Sequence, residues 1–303
     1  KRVVLTLDAG GTNFVFSAIQ GNNEMISPIG LPAVSDNLDE CLEVLVKGFD
    51  RVIAAIPVPP VAISFAFPGP ADYENGIIGD LPNFPSFRGG VALGPFLKHK
   101  YGIPVFIEND GNLFAYGEAL SGALPMINRE LSLAGCSREY KNLIGITLGT
   151  GFGAGVVINK VLLTGDNGCG GDIWLMRNKK YPDMLAEESV SIRAVRRVYS
   201  DLSGQSSASL SPKDIYDIAE GIKEGDSHAA IASFNELGIM AGAAIASVLN
   251  VVDGLVVIGG GVAGASKYIL PALITELRAQ LTTFSGNKFP CVSMQVYNGE
   301  DES

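Results

Sequence analysis

Three glycine-rich segments, each directly after an apolar run typical of a β-strand, are best suited to bind a phosphate-bearing ligand. They are Asp8-Ala9-Gly10-Gly11-Thr12-Asn13, Leu148-Gly149-Thr150-Gly151-Phe152-Gly153 and Ile258-Gly259-Gly260-Gly261. Glycines leave backbone N–H groups unobstructed, so a polyphosphate can approach them closely. Asp8 adds a carboxylate able to hold Mg²⁺ beside the phosphates, and Thr12 adds a hydroxyl donor. Each segment alone could be a plain β-hairpin turn, but three in one chain favour phosphate binding.

Asp110 is a second candidate for chemistry. It lies at the end of the predicted strand Pro104–Ile107, where a helix is expected to begin near Gly111. Asp is a favoured N-cap residue, so capping is the simpler interpretation, with Asn109-Asp110 as a turn. A carboxylate at this place could instead accept a proton as a general base. The local sequence by itself favours the cap.

The overall charge limits the classes of partner. The chain has 303 residues, 47% of them hydrophobic and 18% charged, with a formal net charge of −10 and no Lys/Arg cluster. Nucleic acid is not expected as a partner, since neutralising phosphates requires a basic face, and neither is an anionic membrane. A chain of this size can bury a large core and most simply forms two lobes.

Cysteine and histidine are too scarce for most metal sites. The four cysteines lie far apart, with no CxxC pair: Cys41, Cys136, Cys169 and Cys291. With His99 and His228 as the only histidines, we expect neither a zinc site nor a Ser-His-Asp arrangement. Reduced thiols and the absence of a signal peptide after Lys1-Arg2 fit a cytoplasmic protein. The apolar stretch 237–249 is too short to span a bilayer.

Hydrophobic periodicity predicts alternating strands and helices. The predicted strands are Val3–Leu7, Phe14–Ile19, Val61–Phe67, Pro104–Ile107, Asn142–Leu148, Gly155–Ile158 and Leu255–Ile258. Six helices are predicted: 38–52, one that begins near Gly111, Ser189–Tyr199, one that begins at Ser211-Pro212, Phe234–Leu249 and Tyr268–Leu281. The first is expected to have a Ser35-Asp36 cap. The second is expected to carry Leu113, Phe114 and Leu120 inward. Long loops are expected over 76–95 and 200–211.

The second half of the chain repeats the layout of the first. The strands around the second glycine segment resemble those around the first, which is a weak internal repeat. We therefore expect an α/β fold with lobes 1–118 and 119–303. The extreme C-terminus is expected either to return to the first lobe or to be disordered.

The order of these motifs resembles the ROK family of sugar kinases and sugar-responsive repressors, within the actin, hexokinase and Hsp70-like ATPase superfamily. The resemblance extends from residue 3 to about residue 285. The matching segments are Asp8-Ala9-Gly10-Gly11-Thr12, Phe67-Pro68-Gly69-Pro70, Asn83-Phe84-Pro85-Ser86-Phe87, Glu108-Asn109-Asp110, Gly149-Thr150-Gly151 and Ile258-Gly259-Gly260-Gly261-Val262. It implies a two-lobed ribonuclease-H-like (actin/hexokinase-like) ATPase fold, with mixed sheets flanked by helices, closing over ATP and a sugar.

The resemblance also implies roles for individual residues. Asp110 becomes the general base of an ATP-dependent kinase acting on a hexose or amino sugar at its 6-hydroxyl, which outweighs the capping interpretation. Sugar contacts are implied for Gly69, Asn83, Asn109, Asp110, Asp172 and Glu187. ATP contacts are implied for Asp8, Gly10, Gly11, Thr12, Asn13, Gly149, Thr150, Gly151, Gly259, Gly260 and Gly261, with Mg²⁺ beside Asp8. A homodimer is implied as well.

The chain departs from the family pattern in the segment after Gly171. Asp172 stands in place of a sugar-contacting Glu, and Leu175 in place of a His that binds both the sugar and a structural zinc. The family's cysteine cluster is missing from Arg177–Ala186. We therefore expect no zinc, and glucose to be a poor substrate. Glu187 matches the Glu that follows this cluster, with Glu188 as a competing candidate for the sugar contact.

Two other functions stay open. A ROK-type regulator carries an additional helix-turn-helix domain ahead of the first phosphate loop, which here begins at residue 8, and the acidic charge also disfavours DNA. A sugar-binding protein without catalysis is kept open by the missing His. The set Asp8, Gly10-Gly11-Thr12 and Asp110 favours the kinase over both.

Overall fold

The computed structural model of the chain describes residues 2–10, 13–67, 69, 71–79 and 85–300. Mixed sheets flanked by helices form two units, residues 1–113 (unit 1) and 114–303 (unit 2). The division falls a few residues before the boundary predicted at 118, and the assignment of roles to two lobes stays a prediction.

Unit 1 is built on a mixed sheet. Its strands, with the separate pair β6–β7, are β1 (Val3–Ala9), β2 (Asn13–Gln20), β3 (Asn23–Glu24), β4 (Ile29–Pro32), β5 (Ala62–Ala66), β6 (Ala71–Asp72), β7 (Ile77–Ile78) and β8 (Val105–Glu108). The sheet order is β3-β2-β1-β5-β8, with β4 paired to β2. β2 is antiparallel to β1, whereas β5 and β8 continue the sheet in parallel. The alternate residues Val3, Leu5 and Leu7 are buried, as the period of two in a half-buried strand requires.

Helices α1 (Leu38–Ala55), α2 (Leu93–Tyr101) and α3 (Asp110–Leu120) follow in chain order. The cap of α1 is Asn37, whose side chain accepts the Glu40 N–H at 3.3 Å, so the Ser35-Asp36 cap was wrong. The loop expected over 76–95 was too long, because α2 begins inside it. Leu120 is 49% exposed, so the prediction that it faces inward was wrong.

The buried face of α3 consists of small side chains, which allow close packing. Ala115 and Ala119 are buried, and a Cβ added at Gly145 would lie 2.6 Å from Cα of Ala115. The helix therefore packs directly on the backbone of its neighbour through alanine and glycine. Leu120 lies outside this buried face, at the end of the helix.

The buried thiol of α1 gives a testable expectation about cysteine reactivity. Cys41 is fully buried, and this burial raises the pKa of its thiol to about 11. Its thiolate fraction at pH 8 is therefore about 10⁻³, and the thiolate is the reactive form. We expect iodoacetamide at pH 8 to modify the exposed Cys136 and Cys169 and to spare Cys41 until urea unfolds the protein. Peptide mass spectrometry checks this, and native labelling of Cys41 as fast as Cys136 would contradict it.

Unit 2 repeats the core topology of unit 1. Its strands are β9 (Leu143–Leu148), β10 (Phe152–Ile158), β11 (Val161–Leu162), β12 (Leu255–Gly259), β13 (Gln280–Thr282) and β14 (Lys288–Pro290). The sheet order is β11-β10-β9-β12, and β13 pairs with β14. β9 is antiparallel to β10 and parallel to β12, as β1 is to β2 and β5. The predicted internal repeat is thus confirmed in the strand pairing.

The helices of unit 2 are α4 (Ala123–Leu133), α5 (Ile192–Ser203), α6 (Pro212–Ala219), α7 (Ser227–Val252) and α8 (Ser266–Leu277). The start predicted at Ser211-Pro212 is confirmed, because Ser211 and Asp214 form a reciprocal capping box. α5 extends to Ser203, so the serine-rich loop is shorter than predicted. The last helix ends at Leu277 rather than Leu281, and β13 follows it. α4 was not predicted.

Helix α7 is longer than the apolar stretch seen in the sequence. With 26 residues it is long and apolar enough to cross a membrane by length and composition, which corrects the prediction that this stretch is too short. It contacts α5, α6 and α8, and Phe234, Leu237 and Ile245 are buried. α7 is therefore the central core helix of unit 2.

Candidate functional site

Polar residues of unit 1 meet at one edge of its sheet. Because β1, β5 and β8 are parallel, their carboxyl ends lie at the same edge. Asp8 pairs with Ala66, and Ala66 pairs with Glu108, so the backbones of Asp8 and Glu108 lie about 10 Å apart. Asn109 and Asp110 follow Glu108 directly, and Gly69 follows β5. The structure therefore brings Asp8 to the same edge as the strand end that leads into Asn109 and Asp110.

The turn after β1 carries the first glycine segment. Asp8 is exposed, and no group among the described residues donates a hydrogen bond to its carboxylate. A Cβ at Gly10 would lie 2.9 Å from the carbonyl oxygen of Asn13, so the chain turns tightly here. The predicted ATP contacts Gly11 and Thr12 lie outside the described residues, as does the predicted sugar contact Asn83.

Two of the three glycine segments connect antiparallel strands that follow each other in the chain, as the segment between the strands of a hairpin does. Ala9 pairs with Phe14 in antiparallel strands, and Leu148 pairs with Phe152 in the same way. The argument that three such loops are hard to explain as hairpins was therefore wrong for these two. A hairpin turn is nevertheless compatible with phosphate binding, because glycines leave the N–H groups of the turn accessible.

The helix cap before α3 belongs to Asn109. Its Oδ1 accepts hydrogen bonds from the N–H groups of Gly111, at 2.8 Å, and Asn112, at 3.3 Å. Oδ1 of Asp110 accepts the same Gly111 N–H at 2.8 Å, while no donor to its Oδ2 is found among the described residues. The capping function that the sequence offered for Asp110 is thus carried by its neighbour, and Asp110 keeps an exposed carboxylate oxygen.

Glu108 and Tyr73 support this edge. Glu108 was predicted only as part of the segment Glu108-Asn109-Asp110, without a role of its own, and Tyr73 was missed. Oε1 of Glu108 accepts the N–H of Asn109 at 2.9 Å and the side-chain amide of Asn112 at 3.1 Å. The hydroxyl of Tyr73 donates to the carbonyl of Phe67 at 3.0 Å and packs against Gly69. No sequence signal identified Tyr73, because a tyrosine in a turn has no periodic or motif context.

In unit 2 the second and third glycine segments are adjacent. Thr147 pairs with Gly259 across β9 and β12, and the N–H of Val262 donates to the carbonyl of Leu148 at 3.0 Å. Gly260 has a φ of +92°, and a Cβ there would overlap the carbonyl oxygen of Leu148. Only glycine allows this approach. The two glycine loops therefore lie side by side in unit 2, and their contacts with ATP stay a prediction.

Glu187 reaches the second glycine loop. Its Oε2 accepts the N–H of Phe152 at 3.0 Å, and its Oε1 accepts a hydrogen bond from Arg193 at 2.9 Å. Arg193 also donates to Glu188 at 2.7 Å. Both oxygens of the predicted sugar contact thus have donors inside unit 2. Arg193 lies in the helix predicted over Ser189–Tyr199, but no sequence motif identified it as a partner of Glu187.

Asn178 organises the segment where the family's cysteine cluster is missing. It is 2% exposed, and its amide donates to the carbonyl of Leu185 at 3.2 Å and to Oγ of Ser189 at 2.8 Å. Its Oδ1 accepts the N–H groups of Lys180 and Tyr181, both at 3.0 Å. One buried amide thus satisfies four hydrogen bonds and closes the loop, since burial of an amide requires such partners.

Asp172 precedes a short 3₁₀ turn, Ile173–Leu175, of which Leu175 is the last residue. Ile173 is buried, whereas Asp172 is exposed and Leu175 is 54% exposed. Leu175 therefore does not fill an internal space, and its side chain is accessible to a ligand.

The described residues contain no group of three or more His, Cys, Asp or Glu side chains placed to hold a metal ion. Mg²⁺ in nucleotide sites does not need such a group, because one or two carboxylates, phosphates and waters supply its oxygens. The exposed carboxylate of Asp8 suits this coordination. The absence of zinc stays a prediction.

Comparison with known proteins identifies the family. The model of the ROK family matches residues 4–301. The crystal structure of a glucokinase from Parabacteroides distasonis ATCC 8503 is 66% identical and covers 91% of this chain and 78% of that chain, with a TM-score of 0.85. The glucokinase of Thermotoga maritima is 26% identical over 290 residues, 90% of this chain and 86% of that protein. The xylose repressor of Bacillus subtilis is 24% identical over 262 residues, 82% of this chain and 61% of the repressor. These matches confirm the predicted fold class, and the chain belongs to the ROK family.

Proposed function

We propose that the protein is an ATP-dependent sugar kinase that phosphorylates a hexose or amino sugar at its 6-hydroxyl, with Asp110 as the general base. The observation that carries this proposal is the exposed carboxylate of Asp110 at the sheet edge that also presents Asp8. The capping bonds of Asn109 fix the start of α3 and hence the position of Asp110. The glucokinases of P. distasonis and T. maritima support the reaction class.

In this mechanism Asp110 accepts the proton of the attacking sugar hydroxyl as its oxygen bonds to the γ-phosphorus and the bond to ADP breaks. Backbone N–H groups of the turn at Gly10 and of Thr150 and Gly151 would hold the phosphates, because the N–H of Gly149 already donates to the carbonyl of Gly151. Gly259–Gly261 lies against the adenosine. Asp8 would hold Mg²⁺, which neutralises phosphate charge when bound.

The sugar contacts are proposed for Gly69, Asn83, Asn109 and Asp172. Both carboxylate oxygens of Glu187, which was also predicted as a sugar contact, already accept hydrogen bonds from Phe152 and Arg193. Oδ1 of Asn109 is used in capping α3, so its amide N–H₂ is the group free to donate to a sugar hydroxyl. Asp172 and Leu175 would face the end of the sugar remote from the transferred phosphate.

Sugar specificity should follow from Asp172 and Leu175. Leu175 can neither donate nor accept a hydrogen bond, so a glucose hydroxyl against it loses its water partners at a cost of about 1–3 kcal/mol, or about 5–150-fold in affinity. We expect a sugar with an apolar group at that end, such as an N-acetyl methyl or a deoxy position, to have a higher kcat/KM than glucose. We also expect Leu175→His to gain glucose activity.

Kinetics with ATP on glucose, N-acetylglucosamine, N-acetylmannosamine and deoxy analogues test both statements. No ATP consumption with any sugar would contradict the proposed kinase. If glucose had the highest kcat/KM, only the proposed sugar specificity would be contradicted, and the kinase proposal would stand. That result would agree with the name glucokinase of the P. distasonis relative.

The xylose repressor match favours a second candidate, a sugar-sensing regulator. It predicts sugar binding without turnover, and so does a non-catalytic sugar-binding protein. The same kinetic panel, combined with calorimetric sugar titration, separates these functions from the kinase. The proposal of a homodimer rests on the family alone, whereas the proposal of a cytoplasmic location rests on the four cysteines, which are expected to be reduced thiols.

A further inference from the structure

The second glycine loop has few contacts of its own. Within Gly149-Thr150-Gly151, the N–H of Gly149 donates to the carbonyl of Gly151 at 3.1 Å, and the carbonyl of Gly149 accepts the N–H of Ile192 at 2.9 Å. Phe152 is the first residue after the loop, at the start of β10. Its N–H donates to the carboxylate of Glu187, which lies 35 residues later in the chain. A charged side chain thus fixes the backbone where the loop joins β10.

We propose that Glu187 is a positioning residue for the second glycine loop, holding its backbone through the N–H of Phe152 for nucleotide phosphates. This inference rests on the proposed function, because it takes the loop to be a phosphate-binding loop. It differs from the sugar contact that the family resemblance assigns to Glu187, and the two roles predict different changes in ligand affinity.

The carboxylate is itself held in place. Arg193 on α5 bonds Oε1 of Glu187, and the Glu187 side chain is 22% exposed in this pair. Charge-assisted hydrogen bonds of this kind are shorter and stronger than those between neutral groups. Oε2 is therefore directed at Phe152 by its partner on the other oxygen.

The backbone of Glu187 is also anchored. It lies in the short 3₁₀ turn Ala186–Glu188, where the N–H of Ala186 donates to the carbonyl of Met176 at 2.7 Å. On the other side of the turn, Ser189 accepts the amide of the buried Asn178. Hydrogen bonds to Met176 and Asn178 thus hold the turn at its start and at the residue after its end, and they restrict where the carboxylate of Glu187 lies.

Gly151 lies very close to the carboxylate of Glu187. A Cβ at Gly151 would overlap Oε2 of Glu187. Its φ is not among the positive values, so alanine is compatible with the backbone. The obstacle to a side chain at this position is the Glu187 carboxylate, which Gly151→Ala would displace from the N–H of Phe152.

The test measures nucleotide binding directly. Calorimetric titration of Mg²⁺–AMPPNP without sugar should show affinity about tenfold weaker for Glu187→Ala, the loss expected for one charge-assisted hydrogen bond. Glu187→Gln should be intermediate, because its Oε1 can still accept from Phe152 while its amide cannot accept from Arg193. The KM for ATP should rise by the same factors, with the KM for the sugar unchanged. Glu139→Gln, which removes an exposed partner of Lys160, is the matched control.

A double-mutant cycle separates positioning from direct obstruction. If Gly151→Ala acts by displacing Glu187, the double variant Gly151→Ala/Glu187→Ala binds AMPPNP as weakly as either single variant and no weaker. If the new methyl group obstructs the nucleotide directly, the two losses multiply. Thermal unfolding of each variant shows whether unit 2 remains folded.

Unchanged AMPPNP affinity in Glu187→Ala, or multiplying losses in the cycle, would overturn the inference. A rise only in the KM for the sugar would return Glu187 to the sugar site. Each of these results concerns only the variants and is compatible with normal turnover by the wild-type protein. They can therefore be told apart from a failure of the proposed function. A wild-type protein that binds no nucleotide would overturn both.

Discussion

Asp110→Asn should lower kcat by about 10²–10⁴-fold, because an amide cannot accept the proton of the attacking hydroxyl. The variant keeps the size of the side chain and an oxygen able to accept the Gly111 N–H. The cap of α3 belongs to Asn109, so helix stability should change little. Steady-state kinetics, together with the melting temperature of both proteins, measure the effect.

The control for this variant is Asp39→Asn, an exposed carboxylate in the first turn of α1. It should leave kcat and both KM values unchanged. Near-normal turnover of Asp110→Asn would remove Asp110 from the mechanism. A matching fall in melting temperature would instead indicate that Asp110 contributes to the structure of α3.

Chelation of divalent cations should reduce turnover by at least about 100-fold, because the triphosphate then keeps charge that the transition state cannot disperse. Adding Mg²⁺ should restore activity fully. Asp8→Asn should raise the Mg²⁺ concentration needed for half-maximal rate, since it replaces a carboxylate ligand by an amide. Initial rates in EDTA and in a Mg²⁺ titration measure both effects.

Elemental analysis of the purified protein accompanies this experiment, and we expect no stoichiometric zinc. Undiminished activity in EDTA would contradict the proposed kinase. Zinc at one equivalent would contradict the prediction drawn from the missing cysteine cluster. A Mg²⁺ requirement unchanged by Asp8→Asn would place the ion elsewhere.

The parts of the fold predicted from sequence are those encoded locally. The strands predicted from short apolar runs are present, and their ends differ from the predicted ends by at most two residues. The exception is β10, which begins three residues earlier than predicted. The start of α6 was readable because Ser211, Pro212 and Asp214 lie within one helical turn. The alignment of Asp8 with Glu108 follows from parallel pairing of strands with polar residues at their ends.

The missed parts depend on contacts distant in sequence or on weak local signals. α4 has Gly122 as its N-cap, without a side-chain bond, and its first N–H donates instead to Glu118 of the preceding helix. α2 begins with Leu93-Gly94-Pro95, which reads as loop although proline is tolerated in a first helical turn. The bond from Phe152 to Glu187 spans 35 residues, and no local pattern encodes it.

The closure of the Asn178 loop has a consequence for the conditions under which the protein operates. Loops held by thiolates and a metal ion lose their order when oxidants or chelators reach them. Here a buried amide and backbone groups hold the segment, and none of these groups is oxidised or chelated. The order of the segment that carries Glu187 should therefore depend neither on a bound metal ion nor on reduced thiols.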